Sequence, residues 1–391
     1  MTPVDTLQTQ FDRTQRSAFL IGAIGLILAA VDGIRVPEQF FRSYLLAFIF
    51  WLGFPLGCAA FLMVHHLTGG YWGLAIRRPL EAGVRTIPLL SVFVLPLFGS
   101  LGHLYSWTHA EVVAADAALR LKHFYLNLPF FVVRNVIYFA IWWWLAWRLN
   151  SLSDEQDRTG DPRLASRLEI MSGPGLVLYG LTVTFFSIDW VMSLEPDWFS
   201  TIFGMIFMVL QVLGALALVT FVAGLLSQHE PVASAVTADR LNDIGNLVLT
   251  FVMLWAYLAF SQFLIIWAGN LTKEIPWYLP RVEGGWAIVT LAVIFLSFAI
   301  PFYLLLMHAI KRRVETLSAL CGALVVVNFL NVYWMVVPAF EKTGPRFYLL
   351  DFLLPVGLGG IWVAEFVRQL KSRPLLPLND PRFEEALQHG D

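Results

Sequence analysis

Cysteine is almost absent: the chain has two, Cys58 and Cys321, each inside an apolar run. No CxxC or CxxCH occurs, so the chain alone cannot ligate an iron–sulfur cluster or a structural zinc, or attach a c-type haem. A disulfide framework is excluded for the same reason. Charge is also scarce, at 14% of residues, with a formal net charge of −2. A soluble domain carries about 25% charged residues, and a nucleic-acid binder needs a basic surface. Neither description fits, and no nucleic-acid partner is expected. Apolar residues make up 58% of the 391 positions, against about 45–50% in soluble domains.

What is present is apolar length. A spanning helix needs about 20 mostly apolar residues. Ten segments qualify: 17–34, 43–64, 84–106, 128–149, 171–194, 199–226, 244–268, 285–308, 315–338 and 348–369. The expected fold is therefore all-α and integral to a membrane. Spans 2–5 (about 43–194) and 6–9 (about 199–338) form two four-helix bundles, with spans 1 and 10 flanking them. Span 1 follows Arg13 and Arg16 as a signal peptide would, but Asp32-Gly33 is not a small-residue cleavage site.

Basic residues outside the spans set orientation. Seventeen Lys and Arg fall on the side of the termini and the even-numbered loops, and eight on the other, with Arg134 inside span 4. Both termini are expected to be cytoplasmic, with residues 1–16 and 370–391 as polar ends of a transmembrane domain over 17–369. Loop 150–170, with Asp154-Glu155-Gln156-Asp157-Arg158, reads as a solvated linker. Residues 108–123 suit a short interfacial helix on the outer side. Tryptophans at span ends suit an interfacial belt, with quinone stacking or lipid contact as the alternative.

Ionisable residues inside spans are costly and mark function by default. An outer layer holds Asp32, His103, Arg134 and Asp189 on four early spans. A quinol hydroxyl needs an acceptor able to take its proton, and His and Asp serve. The same groups suit a proton exit, and Arg134–Asp189 equally suits an ion pair that only cross-links helices. An inner layer holds His65 and His66, then Arg77, Arg78, Glu81 and Arg85, with His308 ending span 8. His65, His66, Glu81 and His308 suit a proton entrance. Arg77 and Arg78 suit snorkelling to lipid phosphates. In the second half, Gln211, Asn246, Gln262, Asn328 and Asn331 suit helix–helix hydrogen bonds. Any relay there would lean on rim carboxylates: Asp243, Glu274, Asp351 or Glu365.

Two strings carry a family resemblance. One is Ser261-Gln262-Phe263-Leu264-Ile265-Ile266-Trp267-Ala268-Gly269-Asn270-Leu271, followed by Glu274-Ile275 and Trp277-Tyr278. The other is His65-His66-Leu67-Thr68-Gly69-Gly70, followed by Trp72-Gly73, Arg77-Arg78 and Leu80-Glu81. Together they resemble the ActF-type membrane subunit of bacterial alternative complex III, in the NrfD/polysulfide-reductase membrane-subunit superfamily. The resemblance covers roughly residues 15–370. It implies a multi-pass subunit of a bacterial cytoplasmic-membrane complex that oxidises quinol and passes electrons to a cytochrome c or an oxidase. The implied partners are a homologous ten-span membrane subunit, an iron–sulfur subunit and c-type cytochrome subunits. The implied small molecules are quinone or menaquinone and structural lipids, with no metal in this chain. His103 and Asp189 match the superfamily's outer polar cluster by position. The chain departs from the family after Gly-Asn-Leu, where Thr272-Lys273-Glu274 replaces Pro-Glu-Glu and only Glu274 keeps a carboxylate. Two other classes compete: a ten-span secondary transporter, and a scaffold with no role beyond assembly. The prolines in or near spans lack the matched spacing of transporter repeats.

Overall fold

The computed structural model describes residues 3–377, 379 and 380. Among the described residues, ten helices are long and apolar enough to cross a membrane. They are α1 (Pro3–Gly33), α2 (Pro37–Thr68), α3 (Gly73–Phe98), α4 (Leu128–Thr159), α5 (Arg163–Trp190), α6 (Phe203–Leu226), α7 (Ala238–Gly269), α8 (Gly284–Leu306), α9 (Val314–Val336) and α10 (Leu350–Lys371). No strand occurs among the described residues. Helix is what an apolar chain must adopt in lipid, because it satisfies every backbone N–H and C=O within one segment.

The two expected four-helix groups are both present. In the first, α2 packs on α3 and α5, and α4 packs on α5 and on the second half of α3. In the second, α6 packs on α7 and α9, and α8 bridges α7 and α9. The groups meet where α2 lies against α6. Helix α2 is the centre of the molecule, with 94% of its most apolar window buried, against 22% for α1 and 28% for α7 and α8. Helices α1 and α10 pair with each other and lean on α2. Their close approach depends on glycine. A Cβ at Gly360 would lie 2.5 Å from the Ala18 carbonyl oxygen and from the Gly22 backbone. Small residues at a crossing let two membrane helices gain contact area that lipid would otherwise take.

The ends of α1 and α10 lie together, tied by Lys371 Nζ and Asp12 Oδ1 at 2.6 Å. The face holding those ends is the terminal face here, and its opposite is the far face. Helix α8 contains a π-helical turn, Phe295–Ala299, just before Pro301. Proline has no N–H to give to the preceding turn, so a local change of winding there is expected. Two short helices, Ala110–Ala115 and Ala117–Lys122, occupy the far-face segment expected to hold one.

Three sequence expectations are corrected. Span 3 was expected at 84–106, but α3 begins at Gly73, so Arg77, Arg78 and Glu81 lie inside it. Segment 150–170 is not a linker, because α4 runs to Thr159 and α5 starts at Arg163. Arg77 and Arg78 do not snorkel, being 1% and 3% exposed. One cause underlies all three. Apolar-run criteria end a span at its first charges, whereas these charges meet partners on neighbouring helices. Of the polar end expected over 370–391, the part to Asp380 folds back on the terminal face, with Leu376 buried. Positions 381–391 lie outside the described residues, as do residues 1 and 2 at the start of the N-terminal segment.

Candidate functional sites at the two faces

The far-face site of the first bundle is built on α4 and α5. Asn127 caps α4 by accepting from the Phe130 N–H, which fixes where the helix starts. Arg134 then lies two turns in and Asp189 near the end of α5. Arg134 Nε donates to Asp189 Oδ2 at 3.0 Å and Nη2 donates to Oδ1 at 2.8 Å. Tyr138 Oη donates to Oδ2 at 2.9 Å, and Arg134 Nη1 donates to the Tyr125 carbonyl at 2.9 Å. The guanidinium carbon sits 3.8 Å from the Tyr125 ring centroid and 4.4 Å from that of Phe130. Asp189 is fully buried. A bidentate fork is the strongest arrangement for this pair. The carboxylate therefore has a full set of donors and a matched positive charge. Behind it, Trp190 Nε1 donates to Asn135 at 2.6 Å, and Tyr105 Oη donates to the Trp190 carbonyl at 2.9 Å. Burial first, and the Asp189 charge second, hold the Tyr105 phenol well above its usual range, so it stays a neutral donor.

The other two residues of the expected outer layer do not join this pair. His103 is exposed and stacks on Phe41 of α2, with centroids 5.7 Å apart. Asp32 is half-buried at the end of α1. Depth along the chain grouped these four. The segment that carries His103 does pack on α4, through Tyr105 and Trp107 on Phe131, but the His103 ring turns to Phe41. Asp32 ends α1, which packs on α10 and α2.

A second far-face pair went unread in the sequence. Arg281 is fully buried and donates from Nη2 to Glu195 Oε2 at 3.2 Å and to the Met335 carbonyl at 3.2 Å. Its Nη1 donates to the Trp277 carbonyl at 2.5 Å, and its guanidinium lies 3.7 Å from the Trp277 ring. Burial pulls the Arg281 guanidinium down to about 10, and the Glu195 carboxylate opposes that shift. Trp277 stacks on Trp198 at 4.5 Å. The signal was available: Arg281 follows Trp277 by four residues, the spacing that places an arginine over an aromatic ring. The Ser261–Leu271 string approaches this site through Gln262. Gln262 accepts from Ser200 at 2.9 Å and donates to Tyr278 Oη at 3.1 Å. Asn270 closes α7 at φ 47°, a left-handed cap that asparagine tolerates.

On the terminal face, four guanidinium groups (Arg77, Arg78, Arg85 and Arg373) meet four carboxylates (Glu81, Asp154, Asp157 and Asp380). Glu81 accepts from Arg77 Nε at 2.9 Å, from Arg78 Nη1 at 2.6 Å and from Ser153 Oγ at 2.7 Å. Arg78 also grips both oxygens of Asp157, at 2.5 and 2.6 Å. Arg77 reaches Asp380 on the C-terminal segment. The charges balance, and the cluster clamps α3, α4 and that segment together. His65 and His66 are buried next to it, ring centroids 5.9 Å apart. Ser172 gives its only hydrogen to the Leu168 carbonyl at 2.6 Å. The His66 Nδ1 at 3.2 Å from Ser172 Oγ must therefore be the donor. His308 is exposed on a separate short turn, His308–Lys311.

The family-like string His65–Gly73 has a steric logic here. The left-handed Gly69 ends α2 at φ 65°, and Gly73 faces His65 so closely that a Cβ would lie 2.0 Å from Nδ1. Gly73→Ala is expected to push the His65 ring off Trp72, whose centroid is 5.1 Å away. Overpacking of this kind costs about 1–3 kcal/mol. Denaturant midpoints in detergent and the histidine ring resonances by NMR would both move. An unchanged ring environment would show that the contact is not there.

Fold and sites define the class: a multi-pass, all-helical membrane protein with buried charge clusters at both rims. The chain matches no protein-family model and none of the curated proteins with which it was compared.

Proposed function

We propose that this protein is a membrane subunit of a quinol-oxidising electron-transfer complex of the alternative complex III kind, set in a bacterial cytoplasmic membrane with both termini cytoplasmic. It carries no redox metal itself and supports quinol binding, proton movement or both. The carrying observation is where the two family-like strings fall. Gln262 of the first string bonds Tyr278, three residues before the Arg281 that pairs with Glu195, and the second string supplies Arg77, Arg78 and Glu81 to the terminal-face cluster. The outward residues of the first string (Ile265 at 62% exposed, Trp267 at 68%) suit a lipid-facing or subunit-facing surface.

Chemically, Asp189 with Arg134 and Tyr138 would fix α4 against α5 beside a quinol rather than take its proton. The exposed His103 would serve as a separate far-face acceptor, taking a quinol proton and passing it to water.

The test is purification of the tagged chain in mild detergent, with haem staining and mass spectrometry of its companions. The expected result is a complex with a multihaem cytochrome c, an iron–sulfur subunit and a second ten-span protein. A monodisperse chain without redox partners would overturn this reading and leave the transporter as the hypothesis to test.

A further inference from the structure

Among the described residues, all but one of the buried carboxylates face a guanidinium: Asp189 has Arg134, Glu81 has Arg77 and Arg78, and Asp380 has Arg77. Asp351 is the exception. It opens α10 on the far face, 3% exposed, and forms no ion pair with any Lys, Arg or His among the described residues. Its hydrogen-bond donors are all uncharged. Ser43 Oγ of α2 donates to Oδ1 at 2.5 Å, Gln39 Nε2 lies 3.4 Å from the same oxygen, and the Tyr348 backbone N–H donates to Oδ2 at 3.0 Å.

The charged and titratable groups around it are committed elsewhere. Arg42, on α2, pairs with Glu38 at 3.4 Å and lies over Phe340. Glu341 accepts from Tyr348 Oη at 3.1 Å and faces Arg346 at 3.8 Å. Tyr333, on α9, donates its hydroxyl to the Arg346 carbonyl at 2.9 Å. A cavity of about 10 Å³ is lined by Asp351 together with Gln39, Arg42, Phe340, Glu341 and Tyr348. That is about the smallest space that holds one water. Its lining reaches water at Arg42, whose side chain is 29% exposed.

A buried carboxylate with no counter-charge is costly, and such a group responds by taking up a proton. A carboxyl that also adjoins a water-sized cavity at a rim has a route for that proton. We propose that Asp351 is a proton-binding site, a carboxyl between α2 and α10 that exchanges one proton with the far side through the adjoining cavity. The positive end of α10 and the three donors stabilise the ionised form; burial and the nearby Glu341 favour the neutral one. Both forms are therefore accessible, as a relay requires. Asp189, held by a fork and a phenol, has no such freedom. This site stands whether or not the chain belongs to a quinol-oxidising complex, so failure of the co-purification would leave it untouched.

The test is infrared difference spectroscopy of the purified protein, with whatever subunits accompany it, between acidic and alkaline buffers. One protonated-carboxyl C=O band, sensitive to deuteration, is expected to titrate and to vanish in Asp351→Asn. Asparagine keeps an acceptor for Ser43, so the fold is expected to persist. Should that variant fail to fold, Ser43→Ala removes the 2.5 Å donor, and the band is expected to move to higher frequency. A carboxyl spectrum unchanged by either variant would overturn the proposal. A band that responds to replacing sodium by choline at fixed pH would also overturn it, in favour of a metal cation.

Discussion

Arg134→Met is expected to destabilise the protein by about 3–5 kcal/mol, the usual cost of leaving one buried charge without its partner. Asp189 would keep Tyr138 but lose both bonds of the fork. A neutral hydrogen bond inside a membrane protein averages only about 0.6 kcal/mol, so charge accounts for most of the loss. Arg134→Met combined with Asp189→Leu is expected to recover most of it, because removing both charges of a buried pair is often close to neutral. Equilibrium unfolding in mixed micelles gives both numbers. A single-variant loss below about 1 kcal/mol, typical of an exposed pair, would show that the fork is not buried as described. The same cycle bears on function. If the double variant is stable and still supports turnover and proton movement, Asp189 serves only to join α4 to α5.

Gly57→Val is expected to prevent the two bundles from docking. A Cβ at 57 would lie 2.2 Å from the Gln211 carbonyl oxygen and 2.7 Å from the Ala215 Cβ. Ordinary overpacking costs about 1–3 kcal/mol, because side chains can shift. Here the obstacle is the backbone of α6, so α2 and α6 must separate. Gly173→Ala on α5 is the matched control, since nothing lies within 4 Å of its Cβ position. Fluorescence-detected size exclusion in mild detergent is expected to show the control as a sharp peak and Gly57→Val as aggregate. A sharp, stable peak for Gly57→Val would refute the α2–α6 contact.

How much of this was legible beforehand follows from the kind of signal each feature leaves. Ten spans were readable because a membrane demands a long run of apolar residues, and that demand acts along the chain. The Arg134–Asp189 pair was also readable, because two opposite charges at similar depth on consecutive helices have few other places to go. The grouping of His103 and Asp32 with that pair does not appear in the structure. Depth is one coordinate, and the direction in which each side chain turns is another.

The remaining features belong to the third dimension. Asp154, Gln156 and Asp157 looked like a solvated run, yet Arg85, Arg77 and Arg78 receive them from α3. Arg281 looked like one more loop charge, yet Trp277 and Glu195 enclose it. Asp351 looked like a rim carboxylate among others, and only packing against Ser43 shows that it is buried without a counter-ion. By itself, then, the sequence determined the solvent this protein lives in, its all-helical build and its number of crossings, since each follows from local hydrophobicity. The tertiary structure alone decided which charges are neutralised and which are left without a counter-ion, because charge compensation depends on neighbours that are remote in the chain.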